Sequence, residues 1–305
     1  MRLLVTGASG LLGLNLSLAA STAGHQVTGL VHTRPLVGVP FFTRQVNLLD
    51  GTAALDCIES AKPDAIIHCA AVANLDAAEK SPELAQHLNA EIPGILAEAA
   101  SKWGLPFIHI STDAVFDGQS KGYEESDSTN PLSVYAQTKL AGEQAVQAAH
   151  SEALIARVVF YGWSLSGKRS LSEFFYNNLQ AGQKIKGFTD TYFCPLYVED
   201  LAEALLEMLA KGLTGIYHVV SPEHLSKYEF GLRIARRFGL DPDLIEPVSS
   251  ADAERGVKRS LGLILNTEKV QNALERTLPS VDDGIDRLYE RWQEGYHTQL
   301  QSFAG

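Results

Sequence analysis

The sequence is poor in positive charge, in cysteine and in long apolar runs. Lysine and arginine number 25 against 36 aspartates and glutamates, a formal net charge of -11. A nucleic-acid surface needs clustered cations facing phosphates, so no nucleic-acid partner is expected, although a local basic pocket for a small phosphate ligand stays compatible. Three scattered cysteines, Cys57, Cys69 and Cys194, give neither a disulfide framework nor a metal-binding spacing, and a reducing cytoplasm suits them. No apolar stretch approaches the roughly 18 residues of a membrane span, so no membrane partner is expected. The apolar N-terminus is broken by Thr6, Gly7, Ser9, Gly10 and Gly13, which argues against a secretory leader. The nine histidines contain no HExxH or HxxxH pair, and there is no GxSxG elbow. Neither a zinc site nor a hydrolase nucleophile is therefore expected, and no metal is assigned.

What is present is an ordinary globular composition, 45% hydrophobic and 20% charged over 305 residues. There is no repeat and no low-complexity linker. Short apolar runs alternate with helical patterns. Strands are expected over 2–7, 25–32, 64–71, 105–112 and 153–160, and helices over 11–24 and 81–104 and around Tyr135. Alternation of this kind gives parallel strands with crossover helices on both faces, hence an α/β, doubly wound, Rossmann-type sheet. After residue 160 the pattern loosens. A loop and a helix are expected within 167–183, helices over 198–212, around 227–239 and over 281–292, and a late strand at 215–220. Residues 1–160 then form a dinucleotide-binding domain to which 196–220 returns, and 161–305 form most of a smaller, interleaved substrate lobe.

Between the first strand and the first helix lies TGASGLLG, with Gly7, Gly10 and Gly13 spaced GxxGxxG. Gly7 permits a tight turn, Gly10 a close approach of backbone to a pyrophosphate, and Gly13 close packing of helix on strand. The helix start offers free N–H groups and a positive dipole end to phosphates. The expected cradle is Gly7, Ser9, Gly10, Leu11, Leu12 and Gly13. An acidic residue after the second strand would take the adenosine ribose hydroxyls, but that place holds His32, Thr33 and Arg34. A guanidinium suits a 2′-phosphate, so NADP(H) is favoured over NAD(H).

In LSVYAQTKLAGE, Tyr135 and Lys139 stand four apart on a helix and so share a face. A nearby ammonium would lower the phenol's pKa, making the pair one acid–base unit. In ISTDAVFDG, Ser111, Thr112 and Asp113 follow an apolar strand and emerge at the sheet edge where such folds bind ligands. Thr112 could donate to a carbonyl oxygen there; a simple turn is the alternative use of those residues.

Together these segments resemble the extended short-chain dehydrogenases/reductases, and most closely the dTDP-4-dehydrorhamnose reductase family. TGASGLLG, HCAAVANLDAAEKSPELAQHLNA, STDAVFDG, NPLSVYAQTKLAGE, GIYHVV and LNTEKV carry the likeness, over residues 6 to 270. The resemblance implies that Thr112 polarises a keto oxygen, Tyr135 protonates it, and Lys139 tunes the tyrosine and holds the nicotinamide ribose. Ala70 and Ala71 would line the cofactor. Asn89 would support the active-site helix and is grouped with the substrate residues, together with Asp76, Asp113, Phe160 and Arg259.

Departures from the family pattern fall mainly in the substrate lobe. Leu11 replaces the Gln of GxxGQxG. The family's tryptophan after the Arg157 strand has Phe160 or Trp163 as its counterpart. DQxGxPT becomes the run from Asp190 to Leu196, and Arg-Pro becomes Arg259-Ser260. The implied activity is NADPH-dependent reduction of a nucleotide-diphospho-4-keto-6-deoxy sugar in the cytoplasm, with a homodimer compatible. The alternatives are an epimerase or dehydratase with bound NAD, disfavoured by the missing acid, and a non-catalytic NADP-binding regulatory subunit.

Overall fold

The computed structural model, which describes residues 1–120, 122–252 and 260–305, is built on a seven-stranded sheet whose neighbours all pair in parallel. Its strands are β1 (Arg2–Thr6), β2 (Gln26–Val31), β3 (Phe42–Gln45), β4 (Ala65–His68), β5 (Phe107–Thr112), β6 (Leu154–Val158) and the late segment Gly215–His218. The spatial order is β3-β2-β1-β4-β5-β6, with Gly215–His218 on the far side of β6. Parallel strands carry crossover helices on both faces, so β4, β5 and β6 are buried along their whole length. Such strands should read as apolar runs. The polar residues they do contain, His68, His109, Ser111, Thr112 and Arg157, therefore need partners inside the protein.

From β1 the chain builds outward through β2 and β3, then returns to place β4 on β1's other side. The crevice beyond the carboxyl ends of β1 and β4 is the usual ligand position of such sheets.

Most expected elements are present, with three differences. The strand β3 and the helix Gly51–Ala61 were not anticipated. FTRQ is largely exposed at the sheet edge and carries no burial pattern, and the helix, capped by Asp50 on Ala53 N, has only three buried residues. The helix expected over 81–104 forms as Pro82–Gln86 and Ile92–Lys102 with a π turn, His87–Glu91, between them. The late strand is confined to Gly215–His218 and pairs with β6.

Beyond Val158 the chain forms small paired strands and helices. Leu196–Tyr197 lies beside Phe160–Tyr161, Ile245–Val248 beside Ile185–Phe188, and Leu225–Ser226 beside Tyr192–Phe193. Ser170 with Glu173 and Ser226 with Glu229 form capping boxes for the helices Leu171–Gln180 and Lys227–Phe238. One apolar core runs from Leu3, Val5 and Leu14 through Leu201 and Leu205 to Trp163, Phe230 and Leu288, joining both halves of the chain. None of the described helices is long and apolar enough to cross a membrane.

Candidate active site

The glycine turn after β1 has room for nothing larger. Gly7 adopts φ +66°, and a β-carbon there would stand 2.9 Å from the backbone of Ala70. One on Gly13 would stand 2.2 Å from the Gly7 carbonyl oxygen. The Gly10 N–H donates to that same oxygen at 2.8 Å, and the helix Leu11–Thr22 starts at Gly10 without a side-chain cap. Thr6 Oγ1 accepts from Ala70 N at 3.2 Å and pairs with His68 Nδ1 at 2.8 Å, tying β1 to β4 across the crevice. Ser9, Ala70 and Ala71 are half-buried around it. Leu12 is a core residue and Leu11 packs on the same core, so only their N–H groups can serve a ligand. An uncapped helix start behind a cradle that a β-carbon would fill fits a dinucleotide pyrophosphate.

His32 and Arg34 are exposed just past β2, with the His32 carbonyl accepting from Gln45 Nε2 at 2.9 Å. Arg34 has a neighbour that the sequence did not suggest. Desolvation, and then the like charge of Arg34, lowers the pKa of Arg169. Two guanidiniums thus share the surface beyond β2.

The helix Val134–Ala149 begins at Ser133, which accepts from Ala136 N at 3.3 Å, and Glu79 accepts from Val134 N at 2.9 Å. Tyr135, Lys139 and Glu143 recur every fourth residue and share one face. Lys139 is 2% exposed; its Nζ donates to the Ile110 carbonyl at 2.6 Å and lies 3.3 Å from His109 Nε2. Thr112, the last residue of β5, donates to Asp113 Oδ1 at 3.1 Å and accepts from Ala114 N at 3.2 Å, and its hydroxyl lies near enough to the Tyr135 phenol to act on its pKa. Thr112, Asp113, Tyr135 and Lys139 therefore gather at the carboxyl edge of the sheet.

The electrostatics of these groups follow from their burial and their partners. Burial pushes the Tyr135 phenol up to about 12; the Thr112 hydroxyl opposes this and the Asp113 charge adds to it. The Lys139 ammonium is meanwhile engaged by β5, through the Ile110 carbonyl. Burial brings Lys139 down to about 8 against the pull of Glu143 and Cys69, and raises Asp113 to about 6 against the Thr112 hydrogen bond and Lys227. The phenol is thus held in its proton-donating form.

Behind the helix lies an ion pair that sequence reasoning missed. Glu143 and Arg157 are 1% and 3% exposed, with Nη2–Oε2 at 2.8 Å and Nε–Oε1 at 3.0 Å. Ser111 donates to Glu143 Oε1 at 2.5 Å, and the guanidinium lies 5.0 Å from the Phe116 ring centroid. A signal was available: Glu143 follows Lys139 by one turn on a buried face, where a carboxylate requires a cation.

Asn89 belongs to the helix support and not to a substrate surface. It is fully buried; Oδ1 accepts from Val72 N at 2.8 Å, and Nδ2 donates to Thr138 at 3.0 Å and to the Val72 carbonyl at 3.3 Å. Gly142 lets the Asn89 carbonyl approach so closely that a β-carbon would lie 2.1 Å from it. Asp76 is exposed in the first turn of the helix Leu75–Lys80. Of the two aromatic alternatives, Trp163 is a core residue with Nε1 donating to the Leu288 carbonyl at 3.0 Å, whereas Phe160 is half-buried. Arg259 lies outside the described residues.

Residues 1–294 match the family described as the RmlD substrate binding domain. The chain is 34% identical over 289 residues to a probable low-salt glycan biosynthesis reductase, Agl14, of Haloferax volcanii, covering 93% of this chain and 96% of that one. It is 36% identical to a dTDP-4-dehydrorhamnose reductase of Mycobacterium tuberculosis, covering 85% and 83%. It is 34% identical to methionine adenosyltransferase 2 subunit beta of Xenopus tropicalis, covering 81% and 75%. Among solved structures, dTDP-4-dehydrorhamnose reductase from Bacillus anthracis in complex with NADP superposes with a TM-score of 0.85 at 25% identity, covering 95% and 99%.

Proposed function

The chain belongs to the RmlD substrate binding domain family, and from that membership we propose that it is an NADPH-dependent reductase of a nucleotide-diphospho-4-keto-6-deoxy sugar, converting dTDP-4-dehydrorhamnose to dTDP-L-rhamnose. The observation that carries this is the gathering of Thr112, Tyr135 and Lys139 at the end of β5, beside the Gly7–Gly13 cradle.

A nicotinamide dinucleotide held here would supply the hydride for the keto carbon. The N–H groups of Ser9, Leu11, Leu12 and Gly13 would hold the pyrophosphate, that of Gly10 being taken by the Gly7 carbonyl; Ala70 and Ala71 would flank the dinucleotide, and His32 and Arg34 would meet the 2′-phosphate. Thr112 holds the keto oxygen, and Tyr135 gives it a proton. A phenol near 12 is fully protonated at neutral pH and releases its proton only as negative charge develops on that oxygen. Lys139, which donates to the Ile110 carbonyl, has further N–H groups and would use one for a ribose hydroxyl. Asp76, Asp113 and Phe160 face the nucleotide sugar, which the lobe after residue 160 encloses. The three cysteines are free, in keeping with work in a reducing cytoplasm.

The test is NADPH oxidation with a dTDP-4-keto-6-deoxy sugar, comparing the wild type with Tyr135→Phe and NADPH with NADH. Turnover that needs Tyr135 and prefers NADPH supports the reading. Tight NADPH binding without turnover would overturn it in favour of another keto-sugar or of a non-catalytic NADP-binding subunit; the chain is also similar to a protein named as an enzyme's subunit, methionine adenosyltransferase 2 subunit beta.

A further inference from the structure

The residue before Ile110 has no part in the scheme above, yet it touches the lysine. His109 and His68 sit opposite each other on β5 and β4, both fully enclosed, their rings stacked at 5.6 Å and 15°. His109 Nε2 lies 3.3 Å from Lys139 Nζ, and the Ile110 carbonyl lies 2.6 Å from the same atom. An ammonium has only donors, so a ring nitrogen facing it must present a lone pair. That favours the neutral Nδ1–H tautomer of His109, whose Nδ1 is buried and finds no partner among the described residues. A protonated ring would place a second buried cation against the first, which burial and the charge of Lys139 both oppose.

We propose that His109 is a positioning residue for Lys139: its neutral imidazole and the Ile110 carbonyl each take one ammonium N–H, leaving the third to be aimed at the cofactor ribose. The inference rests on the reductase reading for the identity of that last acceptor. The groups facing Lys139 are Tyr135 and Glu143 from its own helix, Cys69 after β4, and His68 and His109 from the sheet. Glu143 is already engaged by Arg157 and Ser111, so it cannot by itself orient the ammonium. His109 and Ile110 are the groups that do so by direct contact.

The first arm needs no substrate. In the full-length wild type labelled with ¹⁵N-histidine, the resonances absent from His109→Gln identify the ring. They should report an Nδ1–H tautomer that stays neutral through the mildly acidic range. The Nε2 signal should move as Lys139 titrates near 8, and Lys139→Met should abolish that movement.

The second arm compares His109→Phe, which keeps a ring and loses the acceptor, with His109→Gln, which restores an acceptor. His109→Phe should weaken NADPH binding about tenfold, as expected for a lost hydrogen bond to a charged group. It should also move the alkaline limb of kcat down by about one pH unit, the equivalent shift in Lys139. His109→Gln should recover both. An Nε2–H tautomer, or a His109→Phe enzyme with wild-type affinity and pH profile, would overturn the proposal. The spectroscopic and binding arms stand even if the sugar is not turned over, which separates this failure from that of the reductase reading. If His109→Phe does not fold, the tautomer measurement decides alone.

Discussion

Glu143 reaches from the Tyr135 helix to grip Arg157 of β6 with both carboxylate oxygens, in a space closed to solvent. The pair is a strut. It sets the distance between the helix that carries the proton donor and the sheet that carries Thr112. Removing one partner leaves the other charge buried and alone. Arg157→Met should therefore cost about 3–5 kcal/mol in urea denaturation. The double variant Glu143→Leu with Arg157→Met should recover most of that loss, because no uncompensated charge remains; equal destabilisation of single and double variants would contradict this.

Tyr135→Phe should reduce kcat by about 10² to 10⁴-fold, the usual weight of general acid help. NADPH affinity, read by fluorescence titration, should stay near wild type, since the phenol is turned to Thr112 and not to the glycine cradle.

Asp113 gives a stability signature with a definite sign. Its folded-state pKa, about 6, lies above the ordinary 3.8, so the folded protein binds the proton more tightly than the unfolded chain does. That contribution is complete below the ordinary value and is lost as pH rises through about 6. Asp113→Asn, which cannot ionise, should gain up to about 3 kcal/mol over the wild type at neutral pH and show little difference near pH 4. Thermal melts at the two pH values check it; a constant offset would show that the carboxylate is not desolvated.

Gly13→Ala should abolish NADPH binding, because the added carbon would stand 2.2 Å from the oxygen that closes the Gly7 turn. The helix must back away or the turn must open. Overpacking of that kind costs about 1–3 kcal/mol, so the protein should still fold and the loss should appear as missing binding heat in calorimetry.

Arg34→Ala should raise the KM for NADPH by at least about tenfold, the weight of a charge-assisted hydrogen bond, and leave the KM for NADH unchanged. Retained NADPH preference would shift the 2′-phosphate contact to the neighbouring Arg169.

Much of this was legible in the chain. The glycine spacing, the β-branched runs and the four-residue step from Tyr135 to Lys139 each reflect a local constraint, and local constraints leave local patterns. The edge strand β3 left none, since its side chains are mostly exposed and alternate with nothing. The direction of the Tyr135 shift was also hidden. It depends on how deeply β5 and the helix bury the phenol and on where the ammonium is drawn, and both are properties of packing. Asn89 was read as a helix support but also grouped with the substrate residues; its engagement by Val72 and Thr138 needs a loop and a helix far apart in sequence. Glu143 and Arg157 could have been paired by asking what a charged residue does on a fully buried strand.

The position of Gly215–His218 bears on how the protein is made. It covers the outer side of β6, yet it follows β6 only after a long run of small strands and helices. A growing chain that has reached only Val158 presents the backbone donors and acceptors of β6 along a bare margin, the kind of surface on which unrelated chains stack. A truncation after the first lobe, attractive as a minimal cofactor-binding fragment, would keep that margin exposed for good and should precipitate. Synthesis of the whole chain conceals it within one polypeptide, because Gly215–His218 pairs along β6.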